Sequence, residues 1–218
     1  MLLKDNFNME NVQRLRDLTG RDPNLLERVV YAFGLLEAIK QAGLPFIFKG
    51  GTILMLLMEH PMRLSTDIDI IVKAGTDIDY YIQEAAKIFP ILKCEEQVRI
   101  GKNNIEKRHF KFIYKSPVLD SEFYILLDVV FAESPYALLT EKEICNELLL
   151  VEGPEVYVTV PTADCILGDK LTAFASHTTG VTFGKELEII KQLYDVANLI
   201  DVMTDQKLHH KQFLSLSV

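Results

Sequence analysis

Two carboxylates one residue apart, Asp67 and Asp69, stand in the stretch TDIDIIV, which is otherwise β-branched and apolar. Side chains alternate along a strand, so both point to one face while Ile68 and Ile70 take the other. Like charges roughly 7 Å apart repel each other, and an unpaired buried carboxylate is strongly unfavourable. A divalent cation removes both penalties. Mg²⁺ in particular takes carboxylate oxygens and keeps positions open for water and substrate phosphates. The plain alternative is a strand with one wet face, because a D-x-D spacing is common.

A second feature stands upstream. Gly50, Gly51 and Thr52 follow the short apolar run PFIFK (45–49) and open the segment GGTILMLLMEH, which reads as a helix. Glycines let backbone N–H groups come close to a phosphate, and a helix N-terminus adds partial positive charge. A glycine pair after a strand is more often just a tight turn. The P-loop spacing GxxxxGK[ST] is absent. A third carboxylate, Asp128, is the only charge in the nine-residue apolar run from Phe123 to Phe131. It reads either as a strand-end aspartate held by backbone donors or as a further cation ligand.

The elements that must place these residues are legible in outline. Residues 22–43, DPNLLERVVYAFGLLEAIKQAG, read as a helix with Asp22 as N-cap, Pro23 in the first turn and Gly43 after the end. Its apolar stripe is Leu26, Val29, Val30, Phe33, Leu36 and Ile39. TDIDIIVK (66–73) is a strand, and 77–89 is a crossover helix. EEQVRI and KRHFKFIYK flank GKNN as a hairpin. EFYILLDVVFA (122–132) and EVYVTV are further strands. Thr162 caps a helix running to about His177, and 184–203 forms another. The order predicts an α+β fold, with a small mixed β-sheet flanked by helices and a helical C-terminal part. The expected division is a catalytic domain with N-terminal helices over 1–160 and a helical part over 161–218.

Composition narrows the classes. The chain has 218 residues, 49% of them hydrophobic, and a net charge of −8, which argues against a surface that grips nucleic acid everywhere. Residues 93–115 run the other way: seven Lys or Arg face three Glu, a local balance of +4. That is either the solvated side of a hairpin or a platform for an RNA backbone. The longest clean apolar run, residues 52–58, is far short of the roughly 20 residues that span a bilayer. The first ten residues lack the layout of a secretory signal. Three widely spaced cysteines without CxxC read as reduced, mostly buried thiols of a cytoplasmic protein. His209 and His210 read as a surface tail.

The run KGGTILMLLMEHPMRLSTDIDI resembles the first motif of the nucleotidyltransferase superfamily that includes DNA polymerase beta. It is most similar to the AbiEii-type nucleotidyltransferase toxins, the MenT-like enzymes among them, with Arg63, Ser65, Asp67 and Asp69 at the motif's spacing. The resemblance spans residues 49 to about 198 and implies a nucleotidyl group moved from an NTP to an acceptor. On this reading Asp67, Asp69 and Asp128 bind two Mg²⁺, and Gly50, Gly51, Thr52, Arg63, Ser65 and Lys170 hold the nucleotide. Lys170, in GDKLTAF, has Ile166, Leu167, Ala173 and Phe174 as helical neighbours, and a lysine on such a stripe wants an anion, either triphosphate or a carboxylate. Asp195, in KQLYDVANLI, reads on its own as the exposed half of an i,i+4 pair with Lys191; the resemblance implies an active-site role, orienting Lys170 or the acceptor. It also implies a toxin with a cognate antitoxin and an RNA acceptor, the tRNA 3′ end in MenT-like relatives. The alternatives are a small-molecule or protein side-chain acceptor, or a nucleotide-binding homologue without turnover. Relatives often continue beyond the last motif as a helical domain, so the chain reads as possible part of something longer.

Overall fold

The computed structural model describes residues 1–58, 63–97, 106–175, 180–181 and 184–216. Helices α1 (Met9–Thr19) and α2 (Pro23–Gln41) open the chain after a 3-10 turn. In α2 the Asp22 carboxylate accepts the Leu25 N–H and Pro23 occupies the first turn, where its missing N–H has no bond to lose. All six residues of its expected stripe are buried. Strands β1 (Ile47–Lys49) and β2 (Ile68–Val72) follow, separated by the short helix α3 (Leu54–Leu57). Helix α4 (Ile78–Ile88) leads to β3 (Lys93–Gln97), β4 (Lys107–Lys115) and β5 (Glu122–Phe131). Among the described residues, these five strands form one mixed sheet in the order β1-β2-β5-β4-β3. Only β2 and β5 are parallel; the other neighbours run antiparallel.

The sheet has one covered and one half-open face. On β5, Ile125, Leu127, Val129 and Phe131 are buried, while Tyr124, Leu126, Asp128 and Val130 between them are only partly so. Each aliphatic side chain sealed into the covered face contributes about 1.5–3 kcal/mol. The continuous apolar run of β5 is thus not a strand buried on both sides, and its alternation puts Asp128 on the half-open face.

Strands β6 (Leu139–Glu143) and β7 (Tyr157–Pro161) pair as a separate ribbon; β6 was not expected from the sequence. Helices α5 (Ala163–Thr172), α6 (Glu186–Val202) and α7 (Gln206–Leu216) complete the chain. The Thr162 hydroxyl caps α5 by accepting the Cys165 N–H. Two compact units result: Met1–Glu133 with Lys142–Val158, and Ser134–Glu141 with Thr159–Val218.

Three local expectations are corrected. The helix after the glycine pair is one short turn, four residues long, ending at an extended Met58. Helix α5 ends at Thr172, and His177 lies outside the described residues, as does the GKNN loop. His209 and His210 belong to helix α7 rather than to a tail, with Gln212 of the same helix accepting the Ala137 N–H and donating to the Pro135 carbonyl.

Candidate active site

The glycine pair is required by what lies against it. Gly50 adopts φ +85°, the left-handed region that disfavours side chains. A Cβ there would fall 2.1 Å from Asp69 Oδ2. At Gly51 a Cβ would fall 2.8 Å from Arg63 Nη2 and 3.3 Å from Ser65 Oγ. The two glycines therefore clear the space that the carboxylate of Asp69, the guanidinium of Arg63 and the hydroxyl of Ser65 occupy. With a helix of one turn behind it, the turn itself, rather than a helix dipole, is the feature near Asp69.

Thr52 explains the rest of the motif. Its side chain is fully buried. Its hydroxyl donates to the Asp67 carbonyl at 2.6 Å and lies 2.9 Å from Ser65 Oγ. A group so enclosed pins residues 65–67 onto the glycine turn. Its work is to support the residues around it, whereas Arg63 and Ser65 stay partly exposed.

Strand register then aligns the chemistry. Lys49 is the partner of Asp69, Asp69 of Asp128, Asp128 of His109, and His109 of Gln97. Paired residues share a face, and neighbouring strands lie about 4.8 Å apart. One row across all five strands thus sets two carboxylates side by side on the half-open face. His109 Nδ1 lies 2.7 Å from Asp128 Oδ1. Asp67, just before β2, is 54% exposed, with its Oδ1 at 3.9 Å from Arg28 Nη2. The Arg28 guanidinium is itself stacked over the Phe123 ring.

The donor set suits a hard cation: Asp69 and Asp128 are oxygen donors, adjacent, half-open and mutually repelling. Among the described residues, no three His, Cys, Asp or Glu side chains converge into a ready-made cage. Asp67 lies just outside β2 and is the most exposed of the three aspartates.

In the helical unit, Lys170 and Asp195 are both buried, and Lys170 Nζ meets Asp195 Oδ2 at 2.9 Å. The reading of Asp195 as a surface partner of Lys191 is overturned; Lys191 pairs with Glu188 instead. Packing of α6 against α5 decides this. Of the stripe around Lys170, Ile166 and Leu167 are buried but Phe174, past the helix end, is exposed.

Of the five described cations of the basic stretch, three have acidic partners. Arg108 donates to both Asp79 and Glu96, and its hydrogen bonds hold those two carboxylates below their usual range. Lys93 pairs with Glu95 and Glu122, and Lys115 with Asp120. Lys111 lies over the Tyr124 ring. Arg99 and Lys102 fall outside the described residues.

Sequence reasoning missed His109. The alternation of KRHFKFIYK puts it on the polar face, but only the pairing of β4 with β5 sets it beside Asp128.

Comparison with known proteins supplies the remaining finding. The family model described as nucleotidyl transferase AbiEii toxin, type IV TA system, matches residues 34–216. Among solved structures, the chain is similar to JHP933 from Helicobacter pylori, at 15% identity and a TM-score of 0.48, covering 100% of this chain and 90% of that one. It is similar as well to a "putative nucleotidyltransferase from H. pylori", at 16% identity and a TM-score of 0.45, covering 88% and 92%. Among curated proteins none matches.

Proposed function

Since this chain belongs to the AbiEii nucleotidyltransferase toxins of type IV toxin–antitoxin systems, we propose that it moves a nucleotidyl group from an NTP to RNA, at the 3′ end of tRNA, in a Mg²⁺-dependent reaction. The observation that carries this reading is the register of Asp69 beside Asp128, with the Gly50 turn closed on Asp69.

An acceptor hydroxyl attacks the α-phosphorus, the bond to the bridging oxygen breaks, and pyrophosphate leaves. Asp69 and Asp128, with Asp67 at the strand entrance, are the residues we assign to the cations, two in number. Bound there, Mg²⁺ would ease ionisation of the acceptor hydroxyl and balance the charge of the leaving pyrophosphate. The turn at Gly50 and Gly51, with Arg63 and Ser65 packed against it, orients the nucleotide, and Thr52 keeps that loop in place. Within the helical unit Asp195 fixes Lys170; a role for that lysine toward the triphosphate is proposed on the family likeness alone. Catalysis of this type is mostly positioning and charge stabilisation. A cognate antitoxin and a cytoplasmic location accompany the family reading; among the described residues no helix is long and apolar enough to cross a membrane.

A second reading, a small-molecule acceptor, is favoured by one observation: Lys93, Arg108 and Lys115 have acidic partners, so these three add little to a basic platform for RNA. One experiment separates the two. The protein is incubated with Mg²⁺, total tRNA and each α-labelled NTP in turn, beside Asp69→Ala. Label in tRNA with wild type alone establishes the RNA reading and names the nucleotide. Label absent from RNA, with NTP consumed in the presence of cell metabolites, establishes the second. Transfer by Asp69→Ala would sink the site assignment.

A further inference from the structure

We propose that His109 is a positioning residue for Asp128, holding its carboxylate in line with Asp69 so that the two can share a divalent cation. The proposal rests on the reading of Asp69 and Asp128 as cation ligands. His109 Nδ1 is 2.7 Å from Asp128 Oδ1. An ionised carboxylate only accepts, so Nδ1 carries the proton and donates. The two residues are cross-strand partners on β4 and β5, so the contact is set by backbone pairing and not by a long side chain reaching out. On its other side Asp128 has Asp69 as its partner. Two carboxylates on paired residues repel each other, so an unsupported Asp128 side chain would tend to turn away from Asp69. A donor on the far side, taking Oδ1, opposes that drift. The His109 side chain is 13% exposed and that of Asp128 29%, so the hydrogen bond is sheltered while the carboxylate stays reachable. Groups that orient a metal's ligands commonly change affinity 10–100-fold when removed.

The plain alternative is an ion pair that only stabilises the sheet. Side-chain geometry separates the two roles: an asparagine amide can donate from where Nδ1 sits, whereas a glutamine amide reaches only to where Nε2 sits. Mn²⁺ affinity of the full chain without nucleotide, measured by electron paramagnetic resonance, is compared for wild type, Asp128→Asn, His109→Ala, His109→Asn and His109→Gln, with melting curves beside it. His109→Ala and His109→Gln should weaken Mn²⁺ binding about 10–100-fold, and His109→Asn should stay near wild type whatever the melting temperatures do. If His109→Ala and His109→Gln bind Mn²⁺ like wild type while Asp128→Asn does not, the role of His109 is overturned and the carboxylate site stands. If His109→Asn is as weak as His109→Gln, donation from Nδ1 is overturned. If Asp128→Asn binds like wild type, the carboxylate reading itself falls, and this inference with it. Should His109→Ala fail to fold, the Asn and Gln variants still decide.

Discussion

The two faces of the sheet treat carboxylates in opposite ways. On the covered side, Glu27 of α2 is buried and accepts three donors: the Tyr114 hydroxyl at 2.7 Å, the Ser116 hydroxyl at 2.8 Å and the Val118 N–H at 3.0 Å. Burial, with the Glu27 hydrogen bond second, pushes the Tyr114 phenol well above its ordinary range, so the proton stays on the phenol. On the half-open side, Asp69 and Asp128 sit beside each other in register. A buried carboxylate surrounded by donors is a structural joint, because its charge is already balanced by the fold. Two carboxylates placed together where solvent reaches them are arranged differently, in register on neighbouring strands and partly exposed. The difference teaches that the fold itself satisfies Glu27 with three donors, whereas the proposed site draws on the pair that stays within reach of solvent.

The strongest way to break that comparison is to exchange the phenotypes. Asp69→Asn should lower nucleotidyl transfer at least about a hundredfold, while its urea unfolding free energy does not fall, since a repulsion has been removed. Glu27→Ala should do the reverse. It strands three donors, two of them buried, and should lower stability by about 3 kcal/mol, with transfer per folded molecule preserved. If Asp69→Asn unfolds the protein while Glu27→Ala abolishes transfer, the assignment of the two faces is wrong.

The glycines sharpen it further. Gly43 and Gly50 both have φ +85°, and an alanine at either should lower stability by about 1–2 kcal/mol. A Cβ at Gly43 meets nothing within 4 Å, whereas one at Gly50 meets Asp69 Oδ2 at 2.1 Å. Gly50→Ala should therefore also lower transfer about a hundredfold, as a displaced reacting geometry does. Equal activity in the two variants would show that the position of Asp69 does not matter.

The smallest effect belongs to a fourth carboxylate, in the helical unit. Asp164 accepts from the Thr204 N–H and hydroxyl and from the Asp205 N–H. Burial alone would raise its pKa, yet the Asp205 N–H and the Thr204 donors hold it below the usual carboxylate range. A folded-state pKa that is lowered gives stability present above the unfolded value, about 3.9, and lost as pH falls through the folded one. Asp164→Asn should thus be less stable at pH 7, by about 1 kcal/mol of unfolding free energy, and the gap to wild type should close as pH drops below about 4. A gap that persists unchanged at low pH would show that charge plays no part.

The sequence alone determined what depends on near neighbours. The caps of α2 and α5 were readable because a capping side chain bonds an N–H three residues on. The alternation in TDIDII was readable because strand geometry has period two. The motif from Gly50 to Asp69 was readable because its residues hold one another within twenty positions, as Thr52, Ser65 and Asp67 do. Only the tertiary structure decided the rest. Asp69 meets Asp128, 59 positions away in the chain, through strand pairing, and His109 joins them through the pairing of β4 with β5. Asp195 leaves Lys191 for Lys170 because α6 packs on α5. Register and helix packing are settled by the whole buried surface at once, and no local run of residues carries that information.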